Sequence, residues 1–215
     1  MVRTLCLLIV GLTGAQAQGR WVAVSGGMGM NLFAAPAVVD YVNVVAQPGF
    51  NERLDEFSSS IEFFVSPEVQ ISEFWSAGVE YNYVIKSYSI AGSGGISNFT
   101  YSVRLPGVIV HYLVPAEGYG FKLGGGLAYA AGTFSEALYG SAQAIDYRST
   151  GAGVKLEAIG VTKFDDHFFG TIALDLRWVV GEVFRNDVRE LRVGESAASL
   201  DFFAVGLKLG VEFLW

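Results

Sequence analysis

The chain has 215 residues, of which 52% are hydrophobic and 16% charged, and its formal net charge is −7. This length allows one domain or at most two, and the apolar content excludes a disordered acidic chain. The chain has no basic cluster, which excludes nucleic acid as a partner. No uninterrupted apolar stretch of about 18 residues follows the first 17, so the sequence predicts no membrane-spanning helix.

The first 17 residues are typical of a secretory signal peptide. Arg3 supplies a positive start, Leu5–Leu12 is an apolar run, and Ala15-Gln16-Ala17 has the small-x-small pattern of a cleavage site. The alternative is a buried first helix. We expect cleavage after Ala17 and a mature domain of residues 18–215. Cys6 is the only cysteine, so we expect neither a disulfide nor a cysteine-ligated metal in the mature domain.

Eight later segments alternate between apolar and polar side chains, which is the period of a β-strand. In chain order they are Trp21–Phe33, about Ser60–Ile71, Trp75–Ile85, about Phe99–Val114, Tyr119–Tyr129, about Gly153–Phe164, Phe169–Val180 and Phe203–Trp215. Pro106 lies within the fourth segment. It predicts a bulge or an edge there and leaves the register around it open.

The first long connection has a different period. Pro36 to Gln47 could form a helix with Val38, Tyr41 and Val42 on one stripe. The structural alternatives are a short strand extension or a packed cap. A functional interpretation is a lid over a barrel mouth or an apolar surface for a partner.

The connections between the predicted strands alternate in length. Those at 72–74, 115–118 and 165–167 are short, whereas those near 34–59, 86–98, 131–150 and 182–198 are long. This alternation predicts an eight-stranded antiparallel transmembrane β-barrel with short periplasmic turns and long extracellular loops. One face of the strands carries large aliphatic and aromatic residues and the other carries glycine, serine and charges. That pattern disfavours a soluble lipocalin-like barrel or a sandwich, whose interior would be apolar.

These features resemble the small outer-membrane β-barrels of the OmpA/OmpX type over nearly all of residues 18–215. The resemblance implies a location in the Gram-negative outer membrane, contact with outer-membrane lipid, and insertion by the barrel assembly machinery. In that family the last strand is similar to the signal that this machinery reads. The residues that match it here are Leu207, Leu209, Val211, Phe213 and Trp215. The family usually ends in Phe, from which Trp215 departs.

Charged residues of both signs fall on the face that the alternation turns inward. The acidic ones are Glu62, Glu68, Glu80, Glu157, Asp175 and Glu212, and the basic ones are Lys86, Arg104, Lys122, Lys155, Arg177 and Lys208. Eight strands leave an interior that side chains can fill. Because isolated buried charges are costly, the balanced set predicts an ion-pair network that plugs the barrel.

The candidates for chemistry are weak. Gly124–Gly126 and Gly92–Gly95 lack the Gly-Lys-Ser/Thr ending of a phosphate-binding loop, and two histidines suggest no metal site, so we expect no cofactor. Some small barrels are lipid-modifying deacylases with a His-x-Ser pair, but His111 is followed by Tyr112-Leu113. We therefore expect a monomeric, non-enzymatic barrel with a structural or interaction role through its external loops. The alternatives are a narrow channel for small or hydrophobic molecules and, less favoured, a lipid-modifying enzyme.

Overall fold

The computed structural model describes residues 20–46, 57–92, 95–117, 119–141 and 143–215. The expected signal peptide, residues 1–17, lies outside these ranges. Within them, eight antiparallel strands form a closed barrel. In the described part of the chain, no helix is both long and apolar enough to cross a membrane.

The strands occur where the period-two pattern predicts them, although several are longer. The barrel strands are β1 Val22–Ala34, β2 Phe57–Ser72, β3 Trp75–Gly92, β4 Gly95–Ala116, β5 Tyr119–Ala137, β6 Ile145–Lys163, β7 Phe168–Gly181 and β10 Phe202–Leu214. They are hydrogen-bonded around the barrel in the order β1-β10-β7-β6-β5-β4-β3-β2. A separate two-stranded ribbon pairs β8 Arg192–Val193 with β9 Ser196–Ala197.

The barrel closes between the first and last strands. β1 pairs with β10 from Ala23↔Leu214 to Ala34↔Phe203. Beyond the Ala23↔Leu214 pair, the backbone amide of Trp215 donates to the carbonyl of Val22 over 2.9 Å. Closure leaves the sheet without a free edge along the paired length, which a barrel surrounded by lipid requires.

Pro106 produces no bulge, contrary to the sequence prediction. β4 keeps one register with β3 from Trp75↔Tyr112 to Gly92↔Gly95, with Tyr81 opposite Pro106. Among the described pairings of β2 and β3, a register shift lies instead between Gln70 and Ser72. The inward and outward faces of β4 therefore do not exchange at Pro106.

Two of the predicted long loops are largely strand. β3 continues to Gly92 and β4 begins at Gly95, so 86–98 is mostly a strand hairpin, and β5 and β6 extend into 131–150. We call the end of the barrel that carries the turns near residues 73, 117 and 166 the short-turn end. The other end, with the hairpin of β3 and β4, is the loop end.

The apolar face of the strands changes sides along the barrel. Toward the short-turn end of β4, Val108, Val110 and Tyr112 point outward and are exposed. Toward the loop end, the buried inward residues of β4 are Phe99, Tyr101, Val103 and Leu105, whereas Asn98 and Arg104 lie outside and are exposed. β3 behaves alike, with Ser87 and Ser89 exposed and Tyr88 and Ile90 buried. The barrel is therefore apolar outside at one end and apolar inside at the other.

The predicted helix near residue 36 exists but is short. α1 spans Pro36–Tyr41 and continues as a π-helical turn over Val42–Ala46. The predicted end at Gln47 lies outside the described residues. Val38, Tyr41 and Val42 are buried in the apolar core of the loop end, together with Phe33, Phe99 and Phe134. The segment is thus a packed cap of this core, one of the alternatives that the sequence allows.

Candidate functional site

The lumen toward the short-turn end is filled by charged side chains. Ten of the twelve charged residues predicted to point inward are buried there, namely Glu62, Glu68, Glu80, Lys122, Lys155, Glu157, Asp175, Arg177, Lys208 and Glu212. They come from six strands, β2, β3, β5, β6, β7 and β10, since period-two alternation turns every second side chain of each strand toward the axis. His111 on β4 joins them and is 2% exposed.

These groups form one chain of contacts in which acids and bases alternate. At the short-turn end, Lys122 Nζ donates to Glu212 Oε2 over 2.6 Å and to Glu68 Oε2 over 2.8 Å. Glu68 Oε1 lies 2.8 Å from His111 Nδ1, and His111 Nε2 lies 2.8 Å from Glu157 Oε1. Because carboxylates accept at both ring nitrogens, both nitrogens must carry a proton, and His111 is an imidazolium in this arrangement.

The chain continues toward the middle of the barrel. Lys155 Nζ lies 2.8 Å from Glu157 Oε2 and donates to Glu80 Oε2. The other oxygen of Glu80 accepts from Lys208 Nζ over 3.2 Å. Lys208 also donates to Asn82 Oδ1 at 3.2 Å, so its ammonium group has several buried acceptors.

The last links lie on β2, β7 and β10. Lys208 Nζ is 3.3 Å from Glu62 Oε1, and Arg177 Nη2 donates to that oxygen over 3.0 Å. Arg177 Nη2 also donates to Asp175 Oδ2 over 2.7 Å, and Asn31 Nδ2 donates to Glu62 Oε2 over 3.0 Å. Such reciprocal pairing is what makes buried charges tolerable.

Lys86 and Arg104 do not belong to this chain. Arg104 is exposed on the outer face, because the uninterrupted register of β4 keeps it on the same side as Pro106 and Val108. Lys86 is half-buried near the loop end, with its Nζ 5.2 Å from the centre of the Tyr88 ring.

A second polar cluster lies at the loop end, and sequence reasoning missed it. Glu136 is 1% exposed and accepts from Tyr41 over 2.9 Å, Tyr147 over 2.8 Å and Arg189 Nη2 over 2.7 Å. These contacts join the cap to β5, β6 and the connection between β7 and β10. Burial and the hydrogen bond to Glu136 raise the pKa of the Tyr41 hydroxyl.

Little empty space remains among the lumen side chains. Two voids, of about 10 and 20 Å³, lie beside Glu80 and beside the His111–Glu68 contact. Each could hold about one water molecule. An open cavity of about 300 Å³ at the short-turn end reaches inward as far as Lys122 and Glu212. Among the described residues, no group of histidine, cysteine, aspartate and glutamate side chains could hold a metal ion.

The terminal residues of the expected assembly signal lie on the outer surface. Leu207, Leu209, Val211 and Trp215 are exposed. Phe213 is half-buried, with its ring centre 5.0 Å from that of Phe168 and 4.6 Å from that of Trp215. An exposed aromatic cluster therefore marks the end of the last strand.

Solved structures share this architecture. Ail, the attachment invasion locus protein of Yersinia pestis, solved with the heparin analogue sucrose octasulfate, is 10% identical, with a TM-score of 0.50 and coverage of 91% of this chain and 99% of Ail. Neisserial surface protein A is 13% identical, with a TM-score of 0.50 and coverage of 91% and 96%. No protein-family model and no curated protein matches the sequence. The chain has the outer-membrane β-barrel fold.

Within this outer-membrane β-barrel fold, one trio of residues has the composition of a hydrolase site but not its geometry. Ser76 lies opposite His111 on the neighbouring strand, and both bond to Glu68. A hydrolytic triad needs a histidine nitrogen that can accept the serine proton. Here both nitrogens of His111 face carboxylates, and Ser76 is fully buried. The trio is therefore arranged as part of the ion-pair chain.

Proposed function

We propose that this protein is a non-enzymatic barrel of the outer membrane whose interior is closed, and that it acts through the structures at its loop end. The observation that carries the proposal is the filling of the lumen. The alternating ion-pair chain occupies one part of it, and the apolar core with its cap of residues 36–46 occupies the other. Because both parts of the lumen are filled, no continuous path for ions or small molecules runs along the barrel axis through the described residues.

The position of the apolar face supports membrane insertion. The exposed apolar residues of β7 extend from Phe168 to Val180, and those of β5 from Tyr119 to Tyr129. These spans of 13 and 11 residues are long enough for a tilted strand to cross a bilayer, which takes about 9–11 residues. Exposed aromatics mark both edges, with Trp75 and Tyr112 near the short turns and Trp178 toward the loop end. Such girdles are typical of membrane barrels.

The polar outer face beyond this belt supports a water-exposed loop end. Ser87 and Ser89 on β3 are exposed, and Ser89 Oγ donates to Asn98 Oδ1 over 2.8 Å. The inward side chains at the same level are apolar, as in a barrel surrounded by water. This end also carries Val188, which is 90% exposed. We propose that partners of the protein bind here, and that the barrel is a monomer.

Two further partners follow from the proposed location. Outer-membrane lipid would cover the exposed belt, and the barrel assembly machinery would insert the chain by its last strand. Deleting residues 213–215 should then leave the protein in the periplasm. Undiminished barrel in the outer-membrane fraction would contradict this part of the proposal.

Cysteine labelling tests the proposed topology. In a Cys6→Ser background, we would introduce single cysteines at Val188, Leu174 and Asp166, which are exposed at the loop end, on the belt and in a short turn. A membrane-impermeant thiol reagent should label the Val188→Cys variant in intact cells and the Asp166→Cys variant only after permeabilisation. Lipid should shield the Leu174→Cys variant in both conditions. Labelling of all three in intact cells, or the reverse order, would refute the proposal.

A further inference from the structure

The ion-pair chain has an acid at both of its ends and therefore one acid too many. Its carboxyl groups are Glu62, Glu68, Glu80, Glu157, Asp175 and Glu212, and its basic groups are His111, Lys122, Lys155, Arg177 and Lys208. If all eleven were ionised, the chain would carry one net negative charge. An unbalanced charge in a buried site is costly, and such a site tends to lose it by taking up a proton.

The end of the chain at Asp175 has an oxygen without a donor. Asp175 is 1% exposed, and its Oδ2 accepts from Arg177 and lies 4.0 Å from Lys208 Nζ. Its Oδ1 is buried and has no hydrogen-bond partner among the described residues. The same holds for Oδ1 of Asn31, whose amide nitrogen is committed to Glu62.

Both oxygens point to one place, because Gly206 has no side chain there. Gly206 pairs with Asn31 on one side and with Asp175 on the other, so the three form a row across β1, β10 and β7. A Cβ atom on Gly206 would lie 2.1 Å from Asp175 Oδ1 and 2.4 Å from Asn31 Oδ1. Two acceptors that face one point need a donor between them.

We infer that the lumen holds a single-proton site, in which Asp175 is neutral and its Oδ1–H donates to Asn31 Oδ1. Asp175 Oδ2 still accepts from Arg177 in this state. The proton brings the chain to five negative and five positive groups. Arg177 on the same strand, Glu62 on β2 and Lys208 on β10 are the charges that face Asp175. Glu80 on β3 and Lys155 on β6 come next along the chain.

Two other occupants would satisfy the same oxygens. A water molecule could donate to both, and a small monovalent cation could be bound by both. In either case Asp175 would remain a carboxylate. A measurement of the protonation state of Asp175 therefore distinguishes these two possibilities from the bound proton.

Paired variants test the inference in refolded protein. Asp175→Asn places an amide donor where the O–H would be, so we expect an unchanged urea midpoint. The matched control is Glu157→Gln, which removes an ionised partner of His111 and Lys155 and should lower the midpoint clearly. Asp175→Asn lowering the midpoint as much as Glu157→Gln would overturn the inference.

Infrared spectroscopy gives a readout that needs no variant to fold. Asp175 is the only buried aspartate among the described residues. Wild-type protein with ¹³C-labelled aspartate at neutral pH should show the isotope-shifted carbonyl band of a neutral carboxylic acid, in sodium and in potassium buffer alike. Absence of this band would overturn the inference. In that event, a urea midpoint that depends on sodium would indicate a bound cation, and a midpoint that does not would indicate water.

Discussion

Gly124 leaves the space in which the imidazole of His111 lies. A Cβ atom on Gly124 would be 2.1 Å from His111 Cδ2, and the two residues are paired across β4 and β5. Without this space the imidazolium could not lie between Glu68 and Glu157. A glycine on β5 thus makes room for the His111 link of the ion-pair chain on β4.

The first prediction follows from this contact. Gly124→Ala should destabilise the barrel by about 1–3 kcal/mol, as overpacking of a filled interior usually does. Gly120→Ala on the same strand is the control, because its Cβ would lie 3.6 Å from the nearest atom. Urea unfolding in lipid vesicles measures both. Equal midpoints for the two variants would show that His111 is not held where we find it.

Two arginines test the register of β4 and β7. Arg177→Met removes the buried partner of Glu62 and Asp175 and should cost about 3–5 kcal/mol of unfolding free energy, or less if water reaches the site. Arg104→Met should change this free energy little, since Arg104 is exposed outside the barrel. A larger loss for Arg104→Met would mean that Arg104 points inward.

The cap should resist ionisation of Tyr41. Burial and the hydrogen bond to Glu136 raise the pKa of Tyr41 above its usual value of about 10. The folded state thus favours the neutral phenol. This contribution to stability is complete below pH of about 10 and is lost as the pH rises through the folded pKa. The tyrosinate absorbance of wild type and Tyr41→Phe should therefore coincide through the ordinary tyrosine range. One extra phenol titrating there in wild type would contradict the prediction.

Lysine substitutions at two heights test the lipid belt. Leu209→Lys places a charge on the exposed apolar face and should cost about 2–4 kcal/mol near the bilayer midplane. Ser102→Lys, on the polar outer face of β4, should have little effect. The comparison is made by unfolding in vesicles and by the yield of folded barrel. Equal losses at both positions would place the membrane boundary elsewhere.

The sequence predicts the barrel toward the short-turn end well because outward apolar residues alternate there with inward residues that are mostly polar, charged or small, with few exceptions such as the buried Ile109. It predicts the strand ends poorly, and the reason is physical. In the hairpin between Ser87 on β3 and Arg104 on β4, the alternation continues, but there the apolar side chains point inward and the polar ones outward. A search for an outward apolar face therefore ends the strands too early and assigns 86–98 to a loop.

The sequence predicts which charged residues point into the lumen, but it does not predict which of them form ion pairs with one another. Alternation places a residue on a face, but the contacts of Lys122 with Glu68 and Glu212 join residues separated by 54 and 90 positions. His111 lies on the inward face of β4 by the same alternation, so its place in the network could have been found. The role of Glu136 depends on the cap and on Arg189, whose positions follow from no periodic pattern.

Single-channel recording in a planar bilayer tests the closed interior most directly. Refolded protein carrying a fluorescent label on the Asp166→Cys variant, in the Cys6→Ser background, would show that barrels are present in the same bilayer. The account predicts no steady conductance, because the ion-pair chain and the apolar core block the axis in series. A stable open channel in labelled, folded protein would contradict it.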